Sequence, residues 1–365
     1  MVKAKKIRTK PRVICAMSGG VDSSVSAALL QKQGYEVIGV FMKFWHPPAV
    51  SACSENVCCS RESYRQAQKV AGHLGIKLYT LNFEKEFKRL VVDDFLTRSS
   101  QGLTPNPCVV CNEKIKFGLL LKKARQLRIS LVATGHYARI TRSGSRVKLR
   151  RGADPWKDQS YFLYRLTPAQ LKGVLFPVGS YRKSEVRALA ARLGLPSAAR
   201  AESQEVCFVP DQKVRLFLKK YLALKPGKIV TKSGQVLGAH QGFPIYTIGQ
   251  RKGVVGGRSR PYFVLSKNLK NNELGVTDNP RDLLAKNFTV TKATWIIPPE
   301  RFPIRAKVQI RYRSAAGIAE ICHEKRQLVV RFRSPQRAIT PGQSAVFYAG
   351  NKVLGGGVIR EVLAQ

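Results

Sequence analysis

An alternation of apolar strand patterns with amphipathic helix patterns runs through residues 11 to 140 and constrains the fold more than any other feature. Because the strands are apolar almost throughout, both faces of their sheet must be covered, as in parallel sheets built from repeated βα units. We therefore predict an α/β, Rossmann-like domain. Its predicted elements are the strand VICAM, the helix SSVSAALLQKQ, the strand EVIGVFM, the helix RESYRQAQKVAGHL, the strand KLYTLNF, a helix to about Arg98, a helix from Cys111 to Arg125 and the strand SLVATG.

The loop SGGVDSS follows the first strand and opens the first helix. Glycines let the backbone approach an anion, and the first N–H groups of a helix favour negative charge. A Walker A loop would carry a lysine after its last glycine, but Val21 and Asp22 follow here. A carboxylate beside phosphates needs a bridging cation, so Asp22 indicates Mg²⁺. The alternative is a glycine turn that binds no anion; the strand–loop–helix context favours nucleotide binding.

The charge balance is strongly basic, with 64 Lys and Arg against 22 Asp and Glu and a formal net charge of +42. This predicts attraction to a polyanion, most simply nucleic acid. A proteome that is basic throughout is the alternative explanation. No apolar run approaches the ~20 residues that span a bilayer, and the stretch before Pro11 has no apolar signal-peptide region. We expect a soluble, cytoplasmic protein with no membrane partner.

Eight cysteines in 365 residues are too sparse for a disulfide scaffold, and an intracellular chain keeps them reduced. Cys15, inside the first strand, and Cys322, inside GIAEICHE, are interpreted as buried small apolar residues. Cys108 and Cys111 lie three positions apart in the segment PNPCVVCN. Their spacing alone fits half of a zinc site, a redox disulfide, part of an iron–sulfur cluster or a sulfur-handling nucleophile.

Three domains are predicted from the change of pattern along the chain. Residues 1–175 form the nucleotide-binding domain, joined by about 200–213, which carries Cys207. A central domain takes 176–199, with the amphipathic helix KSEVRALAARLGL, and 214–280, with strand signals between Gly and Pro residues. Residues 281–365 are predicted to form a small, basic β-barrel with the strands NFTVTKATWII, IRAKVQIRYR, QLVVRFR and SAVFYAG.

The strand–SGGVDSS–helix unit resembles the PP-loop ATP pyrophosphatases, which attack the α-phosphate of ATP to adenylate a substrate. Further segments, in the same order from Arg12 to about Arg360, are similar to those of the tRNA-specific 2-thiouridylases, which exchange the 2-oxygen of the wobble uridine for sulfur. These segments are GVFMKFW, TPNPCVVCNEKIKF, ATGHYAR, KDQSYFLYRL, FPVGSYRKSEVRALA, ESQEVCFV, YTIGQRKG and TPGQSAVFY. The resemblance implies a transferase that adenylates the uracil O2 and displaces AMP with sulfur, giving 2-thiouridine.

The resemblance also implies which residues bind the substrates. ATP, with Mg²⁺, is expected at Ala16, Met17, Ser18, Gly19, Gly20, Val21, Asp22, Ser23, Met42 and Gly135. Contacts to tRNA, the first three at the target base, are expected from Asn106, Pro107, Cys108, His136, Lys157, Asp158, Gln159, Arg311, Tyr312 and Gln343, and the central domain is expected to contact tRNA as well. The implied partners are the tRNAs for Lys, Glu and Gln and a persulfide-carrying sulfur donor protein. From the residues alone, core packing explains Met42 as well, and a structural role explains His136.

The resemblance makes Cys111 and Cys207 the catalytic pair. In the persulfide account, Cys207 carries the transferable sulfur and Cys111 releases it, leaving a disulfide. Many family members carry Asp where this chain has Cys108, and this departure opens a second account. In it, Cys108, Cys111 and Cys207 hold a [4Fe–4S] cluster with one iron left open to bind sulfide. Both accounts stay open at this point. Cys53, Cys58 and Cys59 are interpreted as part of a flexible loop near the site, and a redox or sulfur-relay role is the alternative.

Two other classes of protein explain the sequence less well. A pure RNA-binding protein has no need of SGGVDSS together with Cys111 and Cys207. Another PP-loop adenylating enzyme, such as an amide-forming synthetase acting on a small metabolite, has no use for a C-x-x-C segment, a distant cysteine and a basic barrel. That synthetase is the alternative function.

Overall fold

The computed structural model describes residues 10–47, 60–201, 206–209, 213–254 and 261–363. It divides into two compact units. The first comprises Met1–Phe87, Asn112–Ser160 and Pro168–Phe208, and the second comprises Lys88–Cys111, Tyr161–Thr167 and Val209–Gln365. This division into two units does not test the boundaries of the three predicted domains, which stay a prediction. Residues 176–199, predicted to belong to the central domain, fall in the first unit. Cys53, Cys58 and Cys59 lie outside the described residues. In the described part of the chain, no helix is long and apolar enough to cross a membrane.

The first unit contains the predicted parallel sheet. Its strands and one antiparallel hairpin are β1 (Arg12–Ala16), β2 (Glu36–Lys43), β3 (Leu78–Asn82), β4 (Leu131–Ala133), the hairpin strands β5 (Ala138–Ser143) and β6 (Arg146–Arg151), and β7 (Val174–Leu175). The sheet order is β3–β2–β1–β4–β7, and every neighbouring pair is parallel. Loops after β1 and β4 therefore meet at the carboxyl edge of the sheet, where such folds bind ligands.

The helices of both units, in chain order, are α1 (Val21–Lys32), α2 (Arg61–His73), α3 (Glu84–Phe87), α4 (Asp93–Ser100), α5 (Pro107–Val110), α6 (Leu120–Gln126), α7 (Pro168–Lys172), α8 (Lys183–Arg192) and α9 (Val214–Tyr221). Lys88–Val92 and Cys111–Leu119 are π-helical. In the first unit, β1 buries Val13 and Cys15 against α1 and α2, and α8 packs on α1 through Val186 and Ala190. Strand β1 is thus covered as its sequence predicts, whereas no residue of the edge strand β3 is buried. Burial raises the pKa of the Cys15 thiol to about 12.

The second unit carries two β structures. Strands β8 (Gly227–Thr231), β9 (Val236–His240), β10 (Phe263–Asn268) and β11 (Glu273–Thr277) form a sheet in the order β10–β11–β8–β9. The predicted barrel consists of β12 (Leu284–Trp295), β13 (Ile304–Gln309), β14 (Gly317–Glu324), β15 (Gln327–Arg337), β16 (Ser344–Ala349) and β17 (Lys352–Val362). These six strands close into a ring because β12 pairs with both β15 and β17. Phe288, Ile321 and Phe347 fill its interior.

Three predictions about local structure are wrong. The helix predicted to start at Cys111 is preceded by α5, which starts at Pro107, because Asn106 caps it and proline suits the first helical position. The chain after Val214 begins with the amphipathic helix α9 rather than a strand. Cys322 is half-buried instead of buried, since neighbouring Ile321 occupies the barrel interior and the Cys322 thiol faces Glu324 and Arg331.

Phe347 tests the barrel core. Because its ring is 0% exposed, Phe347→Ala should lower the free energy of unfolding by about 3–5 kcal/mol, the usual cost of a buried phenylalanine truncation. Ile318→Ala is the matched control, since Ile318 is 48% exposed and should change stability by less than about 0.5 kcal/mol. Chemical denaturation of both variants measures the difference. Equal destabilisation would contradict the assigned core.

Candidate functional site

The phosphate loop (residues 17–23) connects β1 to α1 in the first unit. Gly19 has a φ of +74°, and a side chain there would collide with the Ser63 carbonyl oxygen, so only glycine fits. The Ser23 hydroxyl donates to the Gly20 carbonyl (2.9 Å) and accepts from the Ser18 N–H (3.3 Å). The loop is thus held open around the start of α1, the local geometry that binds phosphate groups.

The other predicted ATP residues lie around this loop. The side chains of Ala16 and Met17 are buried in the core, so only their backbone atoms remain to face a ligand. Met42 is half-buried near the end of β2. Gly135, after β4, packs directly on the first turn of α1: a Cβ atom there would lie 2.8 Å from the Ser23 nitrogen. The structure therefore brings Gly135 to the phosphate loop.

Asp22 lies in the first turn of α1, and two donors hold its carboxylate. Its Oδ1 accepts a hydrogen bond from the Tyr137 hydroxyl (2.6 Å) and an ion-paired one from the Lys183 ammonium (2.6 Å). The Lys183 side chain is only 10% exposed, and its ammonium lies 5.7 Å from the centre of the Tyr137 ring. The three side chains come from α1, the segment after β4 and α8. The charge of Asp22 is therefore compensated before any cation binds.

Arg200 reaches the same loop from the segment that precedes Cys207. Its guanidinium donates to the Gly19 carbonyl (3.1 Å) and to the Ser63 hydroxyl at the start of α2 (2.9 Å). A fixed positive charge therefore lies against the phosphate loop from outside it. The sequence interpretation missed Lys183, Tyr137 and Arg200, although the first two lie inside segments, FPVGSYRKSEVRALA and ATGHYAR, that carry the family resemblance.

Residues 152–159, which we call the Trp156 loop, contain the predicted tRNA contacts Lys157, Asp158 and Gln159. The buried Asp158 carboxylate accepts N–H bonds from Gly152 and Ser160 (3.0 Å each) and pairs with Arg151 (2.8 Å). The Gln159 side chain accepts from the Tyr137 N–H (2.9 Å). Asp158 and Gln159 therefore fix the backbone of the loop, and the half-buried Lys157 is the one of the three with a cationic end group.

His136 is 8% exposed in the first unit. Its Nδ1 lies 2.7 Å from the Thr134 hydroxyl, and its ring packs against Phe117 and Phe176. Burial, with a contribution from nearby Lys116, holds the pKa of His136 well below its ordinary value of 6.5. The imidazole is therefore neutral in the folded protein near pH 7.

In the second unit, Asn106 and Tyr161 organise the predicted target-base segment. The side-chain oxygen Oδ1 of Asn106 caps α5 by accepting a hydrogen bond from the Val109 N–H (3.4 Å). The same side-chain amide also hydrogen-bonds the Tyr161 hydroxyl. That hydroxyl donates to the Ser344 carbonyl of β16 (2.9 Å), and burial raises the pKa of Tyr161. Pro107 is buried and Cys108 half-buried beside the cap. Sequence reasoning missed Tyr161, which lies in KDQSYFLYRL.

The other predicted tRNA residues of the second unit lie near Tyr161 or at the rim of the barrel. The Tyr312 ring lies 4.4 Å from the Phe162 ring and 6.0 Å from the Tyr161 ring. Arg311 donates to the Thr340 hydroxyl (3.1 Å), and Gln343 donates to the Thr104 carbonyl (2.8 Å). This unit thus groups Asn106, Arg311, Tyr312 and Gln343 around strands of one barrel. Arg311 and Tyr312 follow β13 instead of lying within it.

Two cavities bear on ligand binding. One of about 10 Å³ beside Asn106, within the second unit, has room for about one water molecule and none for a pyrimidine. A larger, open one of about 460 Å³ in the first unit is lined by Phe117, Gly118, Leu121, Lys122, Arg125, Gln126 and Gln170, none of them a predicted site residue.

The predicted catalytic cysteines fall in different units. Cys111 is buried at the first position of the π-helical segment Cys111–Leu119. It belongs to the second unit, as the last residue of Lys88–Cys111. Cys207 is half-buried and belongs to the first unit. Phe208, beside Cys207, is buried against Phe87. In the described part of the chain, no group of three or more His, Cys, Asp or Glu side chains is placed to hold a metal ion.

A parallel sheet with a glycine-serine phosphate loop and a compensated aspartate defines a nucleotide-binding enzyme of the PP-loop class. Three family models match the chain in agreement with this fold. They are described as tRNA methyl transferase HUP domain (residues 11–211), tRNA methyl transferase PRC-barrel domain (215–278) and Aminomethyltransferase beta-barrel domain (285–359). The predicted fold class is confirmed.

Relatives of nearly the same length show to which family the chain belongs. Proteins named tRNA-specific 2-thiouridylase MnmA are 44% identical in Geobacter metallireducens (98% of this chain, 99% of the relative) and 46% identical in Geotalea uraniireducens (100% and 98%). One from Symbiobacterium thermophilum is 45% identical (96% and 93%). The descriptions of the family models name methyl transfer, whereas the names of the full-length relatives refer to thiolation. The chain belongs to the tRNA-specific 2-thiouridylases and is an ATP-dependent tRNA sulfurtransferase.

The Asp22–Lys183 pair can be tested by a double-mutant cycle. Lys183→Met should lower the free energy of unfolding by about 2–3 kcal/mol, because it leaves the Asp22 carboxylate unpaired; the 30% exposure of that side chain keeps the loss below that of a fully buried pair. Asp22→Asn combined with Lys183→Met should recover most of the loss, since no unpaired charge remains. Denaturant titration measures all four proteins. Equal stabilities of the single and double variants would refute the pairing.

The neutral His136 predicts a pH dependence. As pH falls below about 6.5, the unfolded chain binds a proton at this residue and the folded chain does not, so stability is lost on the acid side. Between pH 7 and 5.5 the wild type should lose about 1 kcal/mol more than His136→Gln, which cannot titrate. Unfolding curves of both proteins at several pH values measure this difference. Parallel pH profiles would show that His136 is not held neutral.

Proposed function

We propose that this enzyme transfers AMP from ATP to the O2 atom of the wobble uridine of tRNA and then replaces that oxygen with a sulfur carried on Cys207. The observation that supports the adenylation step is the phosphate loop with Asp22 held by Lys183 and Tyr137. The C2 carbonyl of uracil is amide-like, and its oxygen is a poor leaving group. Adenylation converts the oxygen into part of AMP, which a sulfur nucleophile can displace.

The phosphate-loop residues have distinct roles in this proposal. The backbone at Gly19 and Gly20, with the hydroxyls of Ser18 and Ser23, holds the phosphates of ATP, and Gly135 and Met42 border the adenosine. Asp22 suits Mg²⁺, which is bound through one or two carboxylates together with substrate phosphates. Bound Mg²⁺ supplies positive charge to the phosphate oxygens. When Asp22 binds the cation, the Lys183 ammonium turns from Asp22 to the phosphate oxygens. Each charged group of the site therefore keeps a partner of opposite charge.

We propose the persulfide route for sulfur. The terminal sulfur of a Cys207 persulfide attacks C2, AMP leaves with the former O2, and a disulfide links Cys207 to the tRNA sulfur. The Cys111 thiolate attacks the Cys207 sulfur, which releases the thiolated tRNA and leaves a Cys111–Cys207 disulfide. A thiol reductant regenerates both thiols, and the persulfide-carrying donor protein reloads Cys207. This route requires two thiols to meet during the reaction.

The iron–sulfur alternative requires Cys108, Cys111 and Cys207 to gather around one cluster. The described residues do not present such a group of ligands. We therefore assign no step to a cluster. Cys108 takes a different role in the proposal: with Asn106 and Pro107 it borders the target base at the start of α5.

For tRNA, we propose that Asn106 contacts the target uridine, with its amide oriented by Tyr161. Arg311 and Lys157 meet phosphates, Tyr312 offers a stacking face, and Gln343 contacts the RNA from the barrel rim. His136, neutral and buried, acts through the loop that it supports. The proposed substrates are the tRNAs for Lys, Glu and Gln, and the proposed location is the cytoplasm, where these tRNAs and reducing thiols occur together.

Cysteine variants separate the two half-reactions. Cys207→Ser should reduce thiolation of an unmodified tRNA transcript at least about 10³-fold, because the sulfur carrier is lost. It should still release pyrophosphate from ATP in a tRNA-dependent manner, since adenylation needs no thiol. Cys111→Ser should trap a tRNA–protein conjugate that dithiothreitol releases. Cys322→Ser, on the outer face of the barrel, is the matched control and should thiolate normally.

Two results would refute this scheme. Pyrophosphate exchange at full rate without tRNA would favour the amide-forming synthetase. Thiolation that depends on iron, is abolished by Cys108→Ala and accompanies broad visible absorbance after anaerobic purification would replace the persulfide with a [4Fe–4S] cluster.

A further inference from the structure

Trp156 is the most exposed of the large apolar side chains in the described part of the chain, with 83% of its surface open to solvent. Burying an indole normally stabilises a protein, and exposed tryptophan rings are enriched at interfaces and stack on nucleic-acid bases. None of the roles assigned above involves this residue. It lies at the tip of the Trp156 loop, immediately before Lys157.

The loop that presents the ring is held rigidly from beneath. The Asp154 carboxylate, 8% exposed, accepts N–H bonds from Trp156 (2.9 Å), Lys157 (3.2 Å) and Lys183 (2.9 Å). Asp158 closes the other end through Gly152 and Ser160. The backbone that carries the indole is therefore fixed before a partner arrives, and little conformational entropy is lost on binding.

The chain next to the loop is strongly basic. The β5–β6 hairpin that leads into it carries six cationic residues and no Asp or Glu, namely Arg139, Arg142, Arg146, Lys148, Arg150 and Arg151. The two acidic residues of the loop are buried: Asp154 accepts N–H bonds from the loop and from Lys183, and Asp158 pairs with Arg151 of the hairpin. An exposed aromatic face beside such a hairpin fits a partner with flat apolar groups on an anionic backbone, which describes an unpaired segment of RNA.

We propose that Trp156 is a stacking surface for an unpaired base of the tRNA substrate, with the β5–β6 hairpin holding the adjoining phosphates. The proposal deepens the proposed tRNA thiolation and rests on it. Stacking on an aromatic side chain tolerates any base, so Trp156 contributes affinity and register instead of sequence selectivity. Because the loop is attached to α8 through the Asp154–Lys183 backbone bond, the stacked base is placed relative to the phosphate loop of the same unit.

Binding of an unmodified tRNA transcript to the full-length enzyme tests this assignment. Trp156→Ala should weaken the tRNA dissociation constant about 5- to 150-fold, the range for loss of one base–aromatic stack, and leave ATP affinity unchanged. Trp156→Phe, which keeps a stacking face, should stay within about threefold of the wild type. Tyr79→Ala is the matched control: Tyr79 is a 54% exposed aromatic residue of the same unit and should have no effect.

Tryptophan fluorescence supplies a readout that does not depend on activity. The chain has three tryptophans, Trp45, Trp156 and Trp295, and stacking should quench the emission of Trp156 when tRNA is added. The quenching should be largely absent in Trp156→Phe and should not be reproduced by a perfectly paired RNA duplex of equal charge.

Three outcomes would overturn the assignment while leaving the thiolation proposal intact. In the first, Trp156→Ala binds and thiolates tRNA as the wild type does. In the second, quenching persists in Trp156→Phe. In the third, Trp156→Ala thiolates tRNA normally with a small inorganic polysulfide as sulfur source and fails only with a persulfide-carrying protein, which would make this face a protein-docking surface. A wild-type enzyme that neither binds nor thiolates tRNA would instead refute the proposed function itself.

Discussion

The ion pair between Asp22 and Lys183 is the interaction on which the nucleotide site depends. A carboxylate at the mouth of a phosphate loop repels the ligand that the loop is built to bind, and it is costly to bury without a partner. Lys183 and Tyr137 neutralise and orient it, and they come from two distant stretches of the chain. Loop, sheet edge and α8 are therefore held in one arrangement by the carboxylate that we propose also binds Mg²⁺.

The substrate contacts that we propose are divided between the two units. The first contains the phosphate loop, Arg200 and the Trp156 loop; the second contains Asn106, Tyr161 and the barrel residues Arg311 and Tyr312. The basic charge has a comparable division, since the β5–β6 hairpin and the barrel each carry an excess of arginine and lysine. The net charge of +42 is thus concentrated in part on segments that we propose bind tRNA.

The sequence predicted the parallel sheet because each strand and helix there carries its own local pattern, and it located the phosphate loop because glycine, serine and aspartate have a distinct chemistry at a strand end. It could not predict β17, whose Gly355–Gly357 run opposes strand formation. A side chain at Gly356 would lie 2.5 Å from the Ala345 carbonyl, so close strand packing requires the glycines. Contacts such as Asn106 with Tyr161 join residues far apart in sequence, and no periodicity reveals them.

The ring of the barrel is completed by its last strand. Strand β17 (Lys352–Val362) pairs with β16 on one side and with β12 on the other. The ring of six strands therefore cannot close before β17 is in place. Until β17 pairs, β12 and β16 each present an edge of unpaired backbone N–H and C=O groups. Loss of β17 would therefore leave an open barrel whose two exposed strand edges can pair with other chains.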